Sequence, residues 1–424
     1  MYWSNGCQII PPHDVGIARA IDNVRHIDSW DENAVDTNPA VQRIFADATE
    51  AYFKVIDVLV AQRSQTGATP KFVYTPMHGV GLPFMRMAVK SLGLPENHMT
   101  VVATQAYPDP DFPTVPFPNP EEKGALNLAM QAADESDCSL VLANDPDADR
   151  FAVAERLEDG QWHQFTGNQM GILLASHVLE TWKEDKSKLV MLASTVSSRM
   201  LAAMAKVEGF HFRETLTGFK WLGNVAQGLR EESLVPAFAY EEAIGYMFPS
   251  VVWDKDGIAA AAVFLLACQR WKQQGLTPWL KLQSLYQAYG YFEDANTYLI
   301  TPSSVVTEQV FASIRASGVQ GKPPASLGSR KILRWRDLTK GYDSASVDGK
   351  PDLPIDATAQ MITCELERVT FTTRGSGTEP KIKLYIEAKG SSSASAKVEA
   401  NQVLQDLLSL WFKPEFGLRQ AGTS

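Results

Sequence analysis

The hydrophobic pattern alternates between two periods along most of this chain. The apolar run at 71–75 (KFVYT) predicts a strand, and the spacing of apolar residues at 82–92 predicts a helix directly after it. Similar strand-like runs recur at 99–103, 139–143 and 189–193, with helical patterns among them. Because strands that alternate with helices are typical of largely parallel sheets, we expect a multi-domain α/β fold.

The pattern changes near residue 302. Two strand-like runs at 360–366 and 369–373 lie close together in sequence, as in an antiparallel pair. The residues at 390–395 predict an exposed turn, and 396–411 predict a closing helix. The last part of the chain therefore predicts a smaller α+β domain.

The predicted domains follow from these changes of pattern. The first 67 residues contain two helical patterns but too little strand for a sheet of their own, so we interpret them as the remnant of an incomplete first domain. A further helix is expected at 121–133 within the second domain. The predicted ranges are 1–67, 68–186, 187–302 and 303–424.

Composition limits the class of protein. A chain of 424 residues, 45% of them hydrophobic, can fill several cores. Its net charge of −10 gives no overall positive field, so we expect neither nucleic acid nor a membrane surface as a partner. The longest apolar stretch, 257–268, is shorter than the roughly 18 residues that span a bilayer, and it predicts a buried core helix.

The cysteines and the start of the sequence indicate a compartment. No C-x-x-C pair or metal-ligand spacing occurs among the cysteines, which predicts buried, reduced thiols. The first residues lack the basic start and apolar stretch of a signal peptide, so we expect a cytoplasmic protein. The cysteines are Cys7, Cys138, Cys268 and Cys364.

Three aspartates at alternate positions follow the strand-like run at 139–143, in the sequence NDPDADRF at 144–151. Such close carboxylates raise the pKa values of one another unless a cation lies among them. An EF-hand loop would need glycine and glutamate where Arg150 and Arg156 stand, and an aspartyl-nucleophile phosphatase would need D-x-D-G-T. Oxygen-ligated Mg²⁺ fits better than these or than a solvated acidic turn. The predicted ligands are Asp145, Asp147 and Asp149.

Two other constellations suggest phosphate and sugar chemistry. The sequence TTRGSGTEPK at 372–381 combines glycines, hydroxyls, an arginine and a lysine, which suits a phosphate dianion, although a plain turn between strands is the alternative. It is not a Walker loop, because the G-K-[ST] ending is missing. The loops TGFKWLG at 217–223, YEEAIG at 240–245 and WDKDG at 253–257 offer an aromatic face and charged acceptors for sugar hydroxyls. Each is weak evidence alone.

Taken in this order, the loops resemble those of the α-D-phosphohexomutase family over nearly the whole chain. Segments such as NGCQIIPPHD, PMHGVG, PDPDFPTVPFPNPEE, RDLTKGYDS and SGTEPKIK resemble the phosphoglucomutase-2 and phosphopentomutase branch, which also includes glucose-1,6-bisphosphate synthases. Ala243 replaces the serine usual elsewhere in the family's sugar loop. The resemblance implies a multi-domain cleft, Mg²⁺ as cofactor and sugar phosphates as substrates.

The resemblance also implies a role for each matching residue. The three aspartates would hold Mg²⁺, Arg150 would lie near the reacting phosphoryl group, and Lys255 would donate or accept a proton. The predicted sugar-binding residues are Gly218, Phe219, Lys220, Trp221 and Glu241. The predicted phosphate-binding residues are Arg374, Ser376, Gly377, Thr378 and Lys381.

The implied reaction interconverts sugar 1-phosphates with 5- or 6-phosphates. A phosphoserine gives up its phosphoryl group, and a sugar bisphosphate is the priming intermediate that reorients before the other phosphate returns to the serine. The visible residues do not distinguish hexose from pentose substrates, mutase from bisphosphate synthase, or one oligomeric state from another.

One motif of the family is missing. The nucleophile of the family lies in a T-A-S-H-N-P loop, and S-H-N-P occurs nowhere in these 424 residues. The pair Ser176-His177 falls in a helical pattern at 171–182, where core or helix surface is the expected role. We therefore expect a chain that begins after the catalytic loop and is inactive by itself, either as part of a mutase or as a non-catalytic sugar-phosphate-binding form.

Overall fold

The computed structural model describes residues 1–26, 31, 33–61, 70–376 and 379–420. The chain divides into two compact units. The first unit comprises Met1–Ser197 and Glu208–Leu282, and the second comprises Ser198–Val207 and Gln283–Ser424. Within the described ranges, no helix combines the length and the apolar character needed to cross a bilayer. The four predicted domain ranges stay a prediction.

The first unit begins with helices that bury little surface. Helix α1 (His13–Asp22) buries no residue, α2 (Asn33–Thr37) is a short turn of helix, and α3 (Phe45–Leu59) buries Phe53 and Ile56. The sequence predicted two helices here. The extra one is α2.

A five-stranded mixed sheet follows, in the strand order β2-β1-β3-β4-β5. Strands β1, β2 and β3 pair in parallel, and β4 and β5 add to the edge in antiparallel fashion. Every residue of β1 and β3 is buried, as expected for continuous apolar runs. The strands are β1 (Phe72–Thr75), β2 (Met99–Val101), β3 (Leu140–Ala143), β4 (Ala152–Arg156) and β5 (Trp162–Gln164).

The helices beside this sheet are α4 (Gly81–Ser91), α5 (Asn127–Glu135) and α6 (Gly167–Thr181). The prediction of a helix at 121–133 was wrong at its start, because α5 begins only at Asn127. Gly124 has a φ of +86°, a left-handed conformation that a right-handed helix cannot include. The preceding prolines, Pro118 and Pro120, also favour turns over helix.

A second sheet in the first unit has the order β7-β6-β8-β9, with β6, β7 and β8 parallel and β9 antiparallel. Its strands are β6 (Leu189–Ser194), β7 (His211–Thr215), β8 (Val235–Glu241) and β9 (Gly245–Met247). Along the chain, the intervening and following helices are α7 (Met200–Glu208), α8 (Phe219–Leu229), α9 (Gly257–Gln273) and α10 (Pro278–Tyr289), of which nearly all of α7 and the second half of α10 belong to the second unit. Nearly all of α9 is buried, which confirms the predicted core helix.

The second unit contains an antiparallel sheet in the order β15-β14-β16-β17-β18-β11-β19, with β10 also paired to β18. The predicted antiparallel pair is confirmed as β16 and β17, in which Met361 lies opposite Arg374. The strands of this sheet are β10 (Tyr291–Asp294), β11 (Thr297–Ile300), β14 (Arg334–Asp337), β15 (Tyr342–Asp343), β16 (Met361–Glu365), β17 (Val369–Gly375), β18 (Lys381–Gly390) and β19 (Arg419–Gln420). Strands β12 (Ser326–Leu327) and β13 (Arg330–Lys331) pair with each other in a separate two-stranded sheet.

Helices α11 (Ser304–Ala316) and α12 (Ser393–Leu410) complete this unit. The expected turn at 390–395 is shorter than predicted, because α12 already begins at Ser393. Ser392 and Ser395 bond each other's backbone in a capping box, which satisfies the first amide groups of the helix. Strands β10 and β11 precede residue 302 yet pair with β18, so the C-terminal sheet takes strands from both sides of that predicted boundary.

The predicted state of the cysteines is confirmed. Cys7, Cys138, Cys268 and Cys364 are all free thiols and all buried. The cytoplasmic location itself stays a prediction.

Candidate functional site

The three predicted metal ligands lie on the loop that follows β3. One carboxylate oxygen from each of Asp145, Asp147 and Asp149 falls within 4.8 Å of the others. Asp145 is buried, Asp149 is partly buried and Asp147 is exposed, so the group opens to solvent on one side. The carboxyl ends of parallel strands are where ligands of α/β sheets collect, and β3 is parallel to β1.

Asn144 fixes the shape of this loop, and its role was missed in the sequence. Its side-chain oxygen accepts a hydrogen bond from the Tyr74 hydroxyl at 2.9 Å, and its side-chain nitrogen donates to the Arg150 carbonyl at 2.5 Å. The amide therefore ties the start of the loop to its end. The only available sequence signal was the position of an amide residue directly after a buried strand.

Two glycines let neighbouring backbone approach the loop. A Cβ on Gly79 would lie 2.2 Å from the Pro146 Cα, where the Val80 N–H also donates to the Pro146 carbonyl at 2.8 Å. A Cβ on Gly257, the first residue of α9, would lie 2.3 Å from the Arg150 carbonyl oxygen. The segment PMHGVG and the start of α9 thus hold the loop from two sides.

Burial, more than the spacing of the aspartates, dominates the electrostatics at Asp145. Burial raises the pKa of Asp145 to about 6, and the neighbouring charges of Asp147 and Asp149 act in the same direction. The Arg150 backbone N–H, which donates to Asp145 Oδ1 at 2.9 Å, only partly offsets this rise. Full ionisation of these carboxylates is therefore unfavourable unless a cation lies among them.

Lys255 reaches this loop from the segment before α9. Its Nζ lies 2.5 Å from Asp149 Oδ2 and 3.8 Å from Asp254 Oδ1. Burial lowers the pKa of Lys255, but the pairing with Asp149 outweighs that effect and the net shift is upward. Burial likewise outweighs the pairing at the carboxylate, so the pKa of Asp149 is also raised. The arrangement places a proton-bearing group beside the predicted metal ligands.

The donor chemistry of this loop fits a divalent cation. Carboxylate oxygens are hard ligands of the kind that Mg²⁺ prefers. The three aspartates outnumber the two cationic groups near them, Arg150 and Lys255, so negative charge is left to neutralise. The exposed Asp147 leaves the site accessible to a further ligand.

The predicted sugar-binding loops lie in the same unit. Glu241, at the end of β8, accepts a hydrogen bond from the Gly218 backbone N–H at 2.6 Å. Lys220 and Trp221 begin α8 and are partly buried, with the Lys220 Nζ 5.7 Å from the Trp221 ring centroid. Phe219 differs, since only 4% of it is exposed and it packs in the core of this sheet. The Lys255 Nζ lies 5.7 Å from the Phe219 ring centroid.

The predicted phosphate loop belongs to the second unit. Arg374 is on β17 and is partly buried, and the Ser376 N–H donates to the Lys381 carbonyl at 2.8 Å, which closes the turn. The Lys381 Nζ lies 2.9 Å from Glu379 Oε2. Gly377 and Thr378 lie outside the described residues.

The expected structural role of the Ser-His pair is confirmed. Ser176 and His177 are both buried on α6. Burial lowers the pKa of His177 to about 4, and the positive charges of Arg270 and Lys281 add to the shift. A neutral imidazole is therefore part of this core.

The chain is a multi-sheet α/β protein with an acidic loop at a strand end, and its similarity to known proteins identifies its family. Two domain models match it in succession: Phosphoglucomutase/phosphomannomutase, alpha/beta/alpha domain II, over residues 50–158, and domain III of the same description over residues 166–289. The chain belongs to the phosphoglucomutase/phosphomannomutase family, whose members are isomerase-type enzymes.

Three named relatives are similar to nearly the whole chain. The chain is 44% identical to the "Probable phosphoribomutase" of Schizosaccharomyces pombe, covering 98% of this chain and 72% of that protein. It is 40% identical to human phosphopentomutase, covering 98% and 70% of the two chains. It is 37% identical to human glucose 1,6-bisphosphate synthase, covering 96% and 67%.

Solved structures share the fold. Paramecium parafusin, a phosphoglucomutase, superposes in its open form with a TM-score of 0.58 at 18% identity, covering 89% of this chain and 63% of that one. The N-acetylphosphoglucosamine mutase of Aspergillus fumigatus, solved with GlcNAc-6P and magnesium, gives a TM-score of 0.51 at 16% identity, covering 85% and 65%. These likenesses confirm the predicted multi-domain phosphohexomutase architecture.

Proposed function

We propose that this chain carries the Mg²⁺ and phosphosugar sites of a phosphopentomutase-type reaction, the interconversion of pentose 1-phosphates and 5-phosphates. The proposal rests chiefly on the cluster of three carboxylates at the end of β3. One oxygen from each of Asp145, Asp147 and Asp149 lies within 4.8 Å of the other two. The relatives named phosphoribomutase and phosphopentomutase favour a pentose over a hexose. The fold neighbour solved with GlcNAc-6P and magnesium supports the same kind of ligands.

The metal loop would hold Mg²⁺ through its three carboxylates. When bound, Mg²⁺ would neutralise charge on the phosphoryl group in transfer. The partly exposed guanidinium group of Arg150, on the same loop, can also neutralise negative charge on a phosphate. Lys255, held by Asp149 at 2.5 Å, is placed to hold or release a proton at its Nζ.

The sugar would be oriented by Glu241 and the start of α8. Glu241 accepts a hydrogen bond from the Gly218 N–H through Oε1, which helps to fix its carboxylate, and a carboxylate group can accept several hydrogen bonds, including one from a sugar hydroxyl. Trp221 is partly exposed and offers an aromatic face. The phosphate that is not transferred would be bound by the 374–381 loop, through Arg374 and Lys381 among the described residues.

The phosphoserine step has no matching residue in this sequence, which contains no S-H-N-P. We therefore propose that these 424 residues bind phosphosugar and Mg²⁺ but do not turn the substrate over by themselves. A second candidate function is non-catalytic binding of sugar phosphates, and the missing motif favours it. Both share the binding sites and differ in whether a phosphoserine loop completes the reaction.

The test measures binding and turnover separately. Calorimetry of the 424-residue chain with ribose 5-phosphate and Mg²⁺ should show binding of both. Asp147→Asn should weaken Mg²⁺ by at least about tenfold, since Asp147 is an exposed predicted ligand, whereas Asp159→Asn, an exposed aspartate of a distant turn, should not. Equal Mg²⁺ affinity in the two variants would disprove the metal site.

A coupled mutase assay with ribose 1-phosphate, Mg²⁺ and a priming bisphosphate distinguishes the two functions. The 424-residue chain should be inactive, and a chain extended by a T-A-S-H-N-P loop from a relative should be active. Turnover by the 424-residue chain would mean that another residue is the nucleophile. Inactivity of both, with binding intact, would favour the non-catalytic function.

A further inference from the structure

A cavity of about 290 Å³ lies in the second unit, away from the predicted phosphate loop in sequence. It is formed by the end of α11, the loop that follows α11, and the hairpin of β14 and β15. The hairpin belongs to the segment RDLTKGYDS, which the proposed reaction does not use. Its principal lining residues are Arg315, Lys322, Trp335, Asp337, Lys340 and Tyr342.

The only carboxylate among these lining residues is already occupied. Asp337 is buried and accepts two hydrogen bonds from Arg315, from Nε at 2.6 Å and from Nη2 at 3.1 Å. The backbone N–H groups of Thr339 and Lys340 also donate to its Oδ1, each at 3.1 Å. The Arg315–Asp337 pair is therefore neutral and rigid, and it forms the floor of the cavity rather than a site for a cation.

The remaining charges of the lining are both positive. Lys322 and Lys340 are exposed, and neither ammonium group makes an ion pair within the part of the chain that the structure describes. Two unpaired ammonium groups at the mouth of a cavity attract an anion, and a phosphate monoester dianion matches their charge. The chain as a whole has a net charge of −10, so this concentration of positive charge is local.

Aromatic residues form the walls. Trp335 is only 3% exposed and packs against Trp411 with ring centroids 5.9 Å apart, so it is a fixed part of the inner wall and offers little open surface. Tyr342 is 39% exposed and lies opposite Asp337 in the hairpin. Such walls suit the less polar face of a sugar ring, and the volume is near the lower end of ligand pockets. The cavity is thus small, cationic at its mouth and aromatic at its sides.

From these features we infer that the cavity is a second binding site for a phosphorylated small metabolite, specifically a monosaccharide phosphate, distinct from the site of the proposed reaction. The phosphate lies between Lys322 and Lys340, and the sugar ring lies against Tyr342. The inference rests on the lining alone and does not depend on the proposed function. Arg315 also donates to the Gln360 side chain at 2.8 Å, and Gln360 accepts from the Gly375 N–H, so the cavity floor is connected to the start of the predicted phosphate loop.

The test uses the full chain with Arg374→Ala as background, which weakens the predicted phosphate loop. Calorimetry with ribose 5-phosphate should still detect one binding site in this background. Adding Lys322→Gln and Lys340→Gln should weaken that binding by at least about tenfold, because both attractive charges are lost. A matched pair, Lys183→Gln and Lys272→Gln, removes two exposed lysines from the other unit and should leave the binding within twofold.

Three results would overturn the inference: no binding in the Arg374→Ala background, equal losses in the two lysine pairs, or equal affinity for inorganic phosphate and ribose 5-phosphate. The last would mean that the aromatic walls contribute nothing. Tyr342→Leu gives a second measurement that leaves the charges in place. This change should weaken the binding of ribose 5-phosphate more than the binding of inorganic phosphate. A larger loss for inorganic phosphate would also contradict the assignment.

Discussion

The Nζ of Lys255 lies 2.5 Å from Oδ2 of Asp149, so a lysine occupies one carboxylate of the predicted metal site. The two residues are far apart in sequence: Asp149 is on the loop after β3 and Lys255 is on the segment between β9 and α9. An ammonium group at this position competes with a metal ion for the same oxygen. We propose the same ammonium group as the one that exchanges a proton beside a bound sugar phosphate.

Replacing Lys255 with methionine should therefore strengthen Mg²⁺ binding. The substitution removes the ammonium group with a side chain only one atom shorter and frees Asp149 Oδ2, so we expect a several-fold lower dissociation constant for Mg²⁺ by calorimetry. Lys188→Met, at an exposed lysine of the same unit, is the control. Weaker Mg²⁺ binding in Lys255→Met than in the control would show that the lysine supports the metal site instead of competing with it.

Mg²⁺ affinity should depend on pH through Asp145. Its pKa is raised to about 6 in the metal-free protein, chiefly by burial, so a proton competes with the metal below that pH. From pH 7 to pH 5 the affinity should fall about tenfold, because most Asp145 groups are then protonated before the metal binds. Titrations at both pH values test this, and a constant affinity would argue against Asp145 as a ligand.

Gly257 should be needed for the shape of the metal loop. An alanine Cβ there would lie 2.3 Å from the Arg150 carbonyl and 2.4 Å from the Asn144 side-chain nitrogen. Gly257→Ala should lower the free energy of unfolding by about 1–3 kcal/mol and weaken Mg²⁺ binding, because the loop must shift. Denaturant titration and calorimetry measure the two effects.

The control for that prediction is Gly228→Ala. Gly228 is near the end of α8, and a Cβ there would meet open space. This change should stabilise the protein by about 0.5–1 kcal/mol and leave Mg²⁺ binding unchanged. A loss of stability as large as that of Gly257→Ala would mean that the close contacts at Gly257 are not the cause.

His177 should make the first unit sensitive to acid. Its pKa is about 4 in the folded protein, mainly because of burial, against an ordinary value of 6.5. The unfolded chain therefore takes up a proton first as the pH falls below 6.5, and the stability is lost progressively toward pH 4. Between pH 7 and pH 5.5 the loss should be about 1 kcal/mol.

The measurement is the urea midpoint at both pH values for the natural chain and for His177→Gln. A glutamine at position 177 does not take up a proton, so the urea midpoint of this variant should change less between pH 7 and pH 5.5. His98→Gln, at a partly exposed histidine of the same unit, is the matched control and should keep the full dependence. An unchanged pH dependence in His177→Gln would assign the acid sensitivity to other groups.

The sequence by itself determined several of the strands and helices, the loop of three aspartates and the family. Strands β1 and β3 were visible because fully buried strands require continuous apolar runs, and α9 because a buried helix is apolar on every side. The aspartate loop was visible because closely spaced carboxylates after such a strand are costly without a cation. Each of these signals is contained in a short segment of sequence. The predicted helix boundaries were less accurate, as at the starts of α5 and α12.

Only the tertiary structure decided which distant groups meet. The pairing of Lys255 with Asp149, the Asn144 amide that bridges its own loop, and the cavity between α11 and the β14–β15 hairpin all depend on how segments pack. A lysine or an asparagine has the same local pattern whether it faces solvent or a carboxylate. Its partner is set by the packing of the sheets, which is a property of the whole chain and not of any one motif.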